Sequence, residues 1–375
     1  MKRFVYADHA ATTKLDTDAF EAMKLYLLDE YGNASQSYAF SRSPNTALRE
    51  ARETIASCIH ADPDEIYFTS GGTESNNWAI KGTVFSSQDR KAIITSTFEH
   101  HSILRTCEAM KAIGCPVTYM TPKANGFVLA DTLQSAITPQ TLLVSLMMAN
   151  NEIGTIQPTK ELAEIAHRNG TVFHTDAVPC VGHLPIDVKE LDVDMLSASA
   201  HKFNGPKGIG FLYIKRGVQI ASLLHGGSQE RGLRAGTENT ASIVAMAVAL
   251  KKNCAKLAAN TSLVSKLENA LISYLTESGI IFYRNGNGAI LPGVLSLSFP
   301  GFEGEALMHR LDLMGIQVST ASACNSANTQ ISHVLQAIQV EEPLALGTIR
   351  ISLGKENTID DVTTIAQALK KIIKT

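Results

Sequence analysis

Apolar positions along the chain recur at two spacings. Leu48, Ala51, Ile55 and Ile59 follow a helical period, and Ser43-Pro44 ahead of them reads as a cap residue followed by proline at the first helical position. Phe20, Met23 and Leu27 mark one face of an earlier helix, predicted to run from about Asp16 to near Gly32. Short apolar runs bounded by turn residues predict strands at 92–96, 116–120, 142–148, 171–175, 195–200 and 210–214, with helices between them such as 159–168, stopped by Gly170. A further short strand ends near Thr69 and feeds Gly71-Gly72-Thr73 at the start of a helix. This alternation predicts an α/β fold with a mostly parallel sheet and helices on both faces. After 226–237 a long helical stretch, 240–278, leads into strands at 294–299, 316–320 and 348–353, a helix at 304–314 and a last helix from Asp360. Those elements predict a smaller α+β domain. The expected division is a large domain over 15–258 and a small domain made of 1–14 and 259–375.

Ligands of such sheets bind beyond the carboxyl ends of the strands. Five predicted strand ends carry reactive or polar residues there: Thr73, Glu99-His100-His101, Asn150-Asn151-Glu152, Asp176, and Ser199 to Lys202. Lys202 lies between two strands, ahead of the turn Gly205-Pro206-Lys207-Gly208, so it is expected at a tight corner. A constrained lysine suits covalent bonding to a carbonyl compound, or else a structural or phosphate-pairing role. Gly71-Gly72 at a helix start suits a single phosphate, and the string fits neither a P-loop nor a dinucleotide fingerprint.

Composition narrows the class. The 375 residues are 45% hydrophobic and 18% charged, with a formal net charge of −3, which supports neither nucleic-acid nor membrane-surface binding. No apolar run is long enough to span a bilayer, and Asp8 follows the start too soon for a secretory leader, so a cytoplasmic enzyme is expected. Six cysteines form no paired spacing and are expected as reduced thiols. Five are expected as core filler. Cys324 differs, because 319–328 holds only small or polar neighbours, as an accessible loop would.

Nine strings, in order and spanning nearly the whole chain, resemble the cysteine desulfurases of the NifS/IscS type within the class V aminotransferases. They are 69–76, Glu99-His100, 150–154, 174–177, 199–202 with 205–208, 226–237, 322–324, 332–335 and 349–354. The resemblance implies the fold of pyridoxal-phosphate-dependent transferases, with pyridoxal 5'-phosphate joined covalently to Lys202. It implies that Asp176 pairs with the ring nitrogen and that His100 stacks on the ring. Gly72, Thr73, Ser199 and His201 match the phosphate contacts, and Thr237 matches a threonine reaching the cofactor of a neighbouring subunit, which implies a homodimer. Asn151 and Arg350 match the groups holding the substrate carboxylate. Cys324 matches the thiol that takes sulfur from L-cysteine as a persulfide, releasing alanine and passing sulfur to an acceptor protein in iron–sulfur assembly or tRNA thiolation. Selenocysteine lyase, a class V transaminase and a sulfur-relay scaffold of low activity are the alternatives.

Three positions depart from the pattern. His9 stands where the resembled enzymes have asparagine, and Tyr38 where histidine is usual. Pro179 replaces a glutamine that bonds the cofactor's phenolic oxygen, so this contact is expected to be absent or replaced.

Overall fold

The computed structural model describes residues 4–320 and 331–374. Its centre is a seven-stranded sheet in the spatial order Ile66–Thr69, Gly210–Ile214, Met195–Ser199, Val172–Asp176, Thr141–Ser145, Ala92–Ser96, Val117–Met120. Only Gly210–Ile214 runs against its neighbours, pairing antiparallel with both. The expected mostly parallel sheet is therefore present.

Side-chain alternation explains why both faces are covered. Ile94, Val144, Phe173, Leu196 and Phe211 enter one apolar cluster, while Ile93, Leu143, Met195 and Leu212 enter another on the opposite face. Successive strand residues point to opposite sides, so nearly continuous apolar strands demand helices above and below. The first cluster takes in Leu48 and Ile55 of helix Arg42–Cys58, and the second takes in Trp78 and Ile80 of helix Gly72–Ser86.

A third cluster joins the two ends of the chain. Val5 and Ala7 pack with Leu295, Leu297, Ile349, Ile351, Ile365 and Leu369. Strand Val5–Tyr6 pairs with Ile316–Gln317, and Asp8 bridges to Ser352. Beside them lies a four-stranded antiparallel sheet ordered Ser319–Thr320, Thr348–Ser352, Val294–Ser298, Tyr283–Arg284. The N-terminal segment is thereby carried across to the carboxyl ends of the central strands.

Several local expectations need correction. Asp16 does cap helix Thr17–Leu28, accepting from Asp18 N and Ala19 N, but the helix ends before Gly32 and turns Ala19 inward. Phe20 and Leu27 are 49% and 54% exposed, because the helix packs on helix Thr240–Ala255 with Ala19 and Met23, one turn apart, turned toward the core. Helix Arg42–Cys58 starts one residue before Ser43, after a 3-10 turn at Ala39–Ser41. The strand expected to reach 148 ends at Ser145, where Met147 N–H turns to the Glu99 carboxylate. The stretch 240–278 is two helices, Thr240–Ala255 and Leu257–Glu277, broken at Lys256. Cys107, Cys115 and Cys180 are buried, whereas Cys58 and Cys254 are only half-buried, and all five are free thiols. Among the described residues no helix is long and apolar enough to cross a membrane.

Candidate active site

The strand Ile66–Thr69 feeds Gly71, at φ +143°, and then helix Gly72–Ser86. A Cβ on Gly72 would come within 2.6 Å of Val178 Cγ2, so only glycine keeps this backbone so near the strand end beyond Asp176. The first amides of a helix have no acceptor within it and lie at its positive end. Ser199, ending strand Met195–Ser199, stands beside these glycines: its Oγ would lie 3.4 Å from a Cβ on Gly71. His201 follows in the next turn, with Nδ1 3.2 Å from Thr12 Oγ1. Burial first, then Lys202 and Lys207, push the His201 imidazole down to about 4, so it is neutral near pH 7.

Lys202 closes the 3-10 turn Ala200–Lys202 and is half-buried. Its Nζ donates to the carbonyls of Ala10, at 2.5 Å, and Ala11, at 2.9 Å. The same N-terminal loop gives Asp8, whose Oδ1 accepts from Arg350 Nη2 at 2.8 Å. Arg350 Nη1 donates to the Asn151 carbonyl at 3.1 Å, and the guanidinium is buried. Lysine amine, guanidinium and Asn151 thus converge around one loop.

Asp176 ends strand Val172–Asp176 and is buried. Its Oδ1 accepts from Val178 N at 3.0 Å and its Oδ2 from Asn76 Nδ2 at 2.7 Å. Asn76 Nδ2 also lies 2.8 Å from Ser102 Oγ, which lies 2.7 Å from His100 Nδ1. His100 caps helix His101–Ala112, its Nδ1 accepting Ser102 N–H at 3.1 Å. Burial holds the His100 imidazole below the usual histidine range, helped by Lys202 and His101 and opposed by Asp176.

Behind these groups lie two buried carboxyls. Burial pushes Glu99 up to about 8, against bonds from Ser96 Oγ and Met147 N. It likewise pushes Glu152 up to about 7, against the Ser332 hydroxyl and Arg350. Glu99 therefore supports the site from beneath and is not at its surface. Asn150 is also internal, with Oδ1 holding the N–H groups of Glu152 and Ile153. His101 lies against His333, ring centroids 4.7 Å apart and planes tilted by 38°.

Lys202, Asp176, His100, Gly72, Thr73, Ser199, His201, Asn151 and Arg350 all occur at this end of the sheet or on the elements bordering it. Thr237 is exposed on its loop. Cys324 lies outside the described residues, but the chain is placed on both sides of it. Ser319 pairs with Arg350, and Ser332 Oγ donates to Glu152, next to Asn151. Sequence reasoning missed Asp8, Asn76 and Ser102. Asn76 had one available signal, its position four residues after Gly72, hence on the same helix face.

The arrangement fits pyridoxal phosphate. A glycine-only helix start beside Ser199 suits a phosphate, a buried carboxylate suits a protonated ring nitrogen, and the Lys202 amine is close enough to act on both His100 and His201. Half-buried Pro179 offers no donor for a phenolic oxygen.

Comparison with known proteins gives the same picture. A sequence profile described as Aminotransferase class-V matches residues 5–365. "Cysteine desulfurase IscS" of Dictyoglomus turgidum is 47% identical over 376 residues, covering 100% of this chain and 95% of that protein. The protein of the same name from Methanosarcina thermophila is 44% identical, covering 99% of this chain and 92% of its own. A solved "NIFS-LIKE PROTEIN" superposes with TM-score 0.94 at 37% identity, covering 99% of this chain and 100% of the other. A structure described as "SspA in complex with cysteine" matches with TM-score 0.84 at 36% identity, covering 94% and 100%.

Proposed function

The chain belongs to the class V aminotransferase family, and from that premise we propose that it is a pyridoxal-phosphate-dependent cysteine desulfurase. It converts L-cysteine to L-alanine and keeps the sulfur as a persulfide on Cys324. The observation that carries this reading is the shared loop: Asp8 holds Arg350 while Ala10 and Ala11 hold Lys202. One loop thereby sets the substrate's carboxylate site against the reactive amine.

Lys202 would hold the cofactor covalently, Gly72, Thr73, Ser199 and His201 its phosphate, Asp176 its ring nitrogen and His100 its ring face. When bound, the cofactor supplies an electron sink for the carbanion at the substrate's α-carbon. Arg350 presents a planar fork of donors to the substrate carboxylate, and Asn151 adds one donor. Lys202 Nζ and the His100 imidazole would take and return protons. The Cys324 thiolate attacks the substrate's Sγ. An S–S bond forms, the Cβ–Sγ bond breaks with its electron pair going to Cβ, and a proton at Cβ completes alanine. The persulfide then passes to an acceptor protein. Thr237, exposed in the single chain, reaches the phosphate in a second copy of a homodimer.

The test is alanine formation from L-cysteine by the reconstituted enzyme, together with peptide mapping of a persulfide at Cys324. Persulfide and alanine in equal first-turnover amounts support the reading. Selenide release from selenocysteine with no sulfide from cysteine would transfer the chain to the lyase class, and a keto-acid requirement would transfer it to the transaminases.

A further inference from the structure

Two side chains with no role so far join the opposite ends of the ring site. Asp176 Oδ2 meets Asn76 Nδ2 at 2.7 Å, Asn76 Nδ2 meets Ser102 Oγ at 2.8 Å, and Ser102 Oγ meets His100 Nδ1 at 2.7 Å. The direction of this chain follows from donor and acceptor valence. A carboxylate only accepts, so the atom of Asn76 facing Asp176 is the amide nitrogen, and its two hydrogens go to Asp176 and to Ser102 Oγ. Having accepted there, the Ser102 hydroxyl has one hydrogen left, and His100 Nδ1 is the acceptor beside it. The Ser102 backbone N–H donates to the same Nδ1 at 3.1 Å. A ring nitrogen that accepts two bonds carries no proton, so the His100 proton is on Nε2.

We propose that Ser102 and Asn76 are positioning residues that hold His100 as the neutral, Nε2-protonated imidazole and tie that state to the charge on Asp176. The proposal rests on the reading of Asp176 and His100 as cofactor-facing groups. Asn76 and Ser102 are both buried, and the Asn76 Oδ1 has no partner among the described residues. An unpartnered buried oxygen is a cost. It is accepted because turning the amide over would set that oxygen against the Asp176 carboxylate. The link joins three elements, the end of strand Val172–Asp176, helix Gly72–Ser86 and helix His101–Ala112.

Among the described residues, the charged and titratable groups acting on His100 are Asp176, Lys202, His101 and His333, and Lys81 and Arg105 line the same surface hollow. Of these only Asp176 favours a positive imidazole. The Ser102 hydroxyl works against that attraction, since protonating Nδ1 would break a bond already made. Removing it leaves the backbone donor, so His100 should become easier to protonate without losing its place. One neutral hydrogen bond corresponds to an upward shift of about 0.5–1 pH unit.

The experiment is a long-range proton–nitrogen NMR titration of the apoprotein labelled at histidine, with His100 assigned by the signal lost in His100→Gln. The expected wild-type spectrum shows an unprotonated Nδ1 and a single tautomer. Ser102→Ala should raise the His100 midpoint by about 0.5–1 unit and bring in the other tautomer, and Ser102→Thr should restore the wild-type values. Asn76→Ala should shift the midpoint in the same direction. A wild-type proton on Nδ1, or a Ser102→Ala titration superimposable on wild type, would overturn the proposal. Because the readout needs neither cofactor nor substrate, failure to form alanine would contradict the proposed function and leave this comparison standing.

Discussion

Arg350 and Asp8, 342 positions apart in sequence, are joined by a 2.8 Å bond between Nη2 and Oδ1. The pair fastens the chain's first loop to its last described strand and, with the Asn151 carbonyl, fixes the orientation of the guanidinium proposed to hold the substrate carboxylate. Replacing Arg350 with glutamine should raise KM for L-cysteine at least about tenfold, with a smaller change in kcat. Cysteamine, which lacks the carboxylate, should inhibit the variant as well as it inhibits the wild type. Steady-state kinetics with both compounds reads this.

The close packing at the helix start predicts a binding defect without unfolding. In Gly72→Ala the new methyl would meet Val178 Cγ2 at 2.6 Å, forcing the helix start away from the strand end. Cofactor affinity should fall about tenfold or more, while the circular dichroism spectrum of the apoprotein is unchanged. Titration of the apoprotein with pyridoxal phosphate, followed by absorbance, measures the loss.

Glu99 predicts a particular dependence of stability on pH. Its carboxyl is raised to about 8 by burial, so the folded chain keeps a proton that the unfolded chain releases near the ordinary carboxyl range. This contribution is full below that range and is lost as pH rises through about 8. Glu152, raised to about 7, acts in the same sense. The urea midpoint of the wild type should therefore fall more between pH 5 and pH 9 than that of Glu99→Gln, which keeps the oxygen bonded to Ser96 and Met147 but cannot ionise. Equal slopes in the two proteins would contradict this account of Glu99.

Cys324→Ser should separate sulfur transfer from cofactor binding. Alanine formation from L-cysteine should drop by at least about a hundredfold, because a hydroxyl is a far weaker nucleophile toward sulfur than a thiolate. The cofactor content and its absorbance should remain those of the wild type. A variant that forms alanine at the wild-type rate would remove Cys324 from the reaction.

Much of the site was legible because strand order and turn chemistry are local. Alternating apolar runs located the sheet, and polar residues at the run ends marked Asp176, His100 and Lys202. The Asp8–Arg350 contact was not legible, since nothing local at either position reveals a partner at the far end of the chain. Asn76 and Ser102 were hidden for another reason: each is an ordinary polar residue in the first turns of its helix, and only the crossing of two helices beside a strand end brings them together. The exposed faces of Phe20 and Leu27 show a third limit. Periodicity finds the apolar positions of a helix, but the face that lies against the core runs through Ala19 and Met23 and leaves Phe20 and Leu27 outside.

The most direct measurement is where the cofactor is attached. Protein loaded with pyridoxal phosphate, reduced with borohydride and digested, should carry the added mass on the peptide containing Lys202, and the same preparation should form alanine from L-cysteine before reduction. Label on a different lysine, or no fixed label at all, would contradict the account.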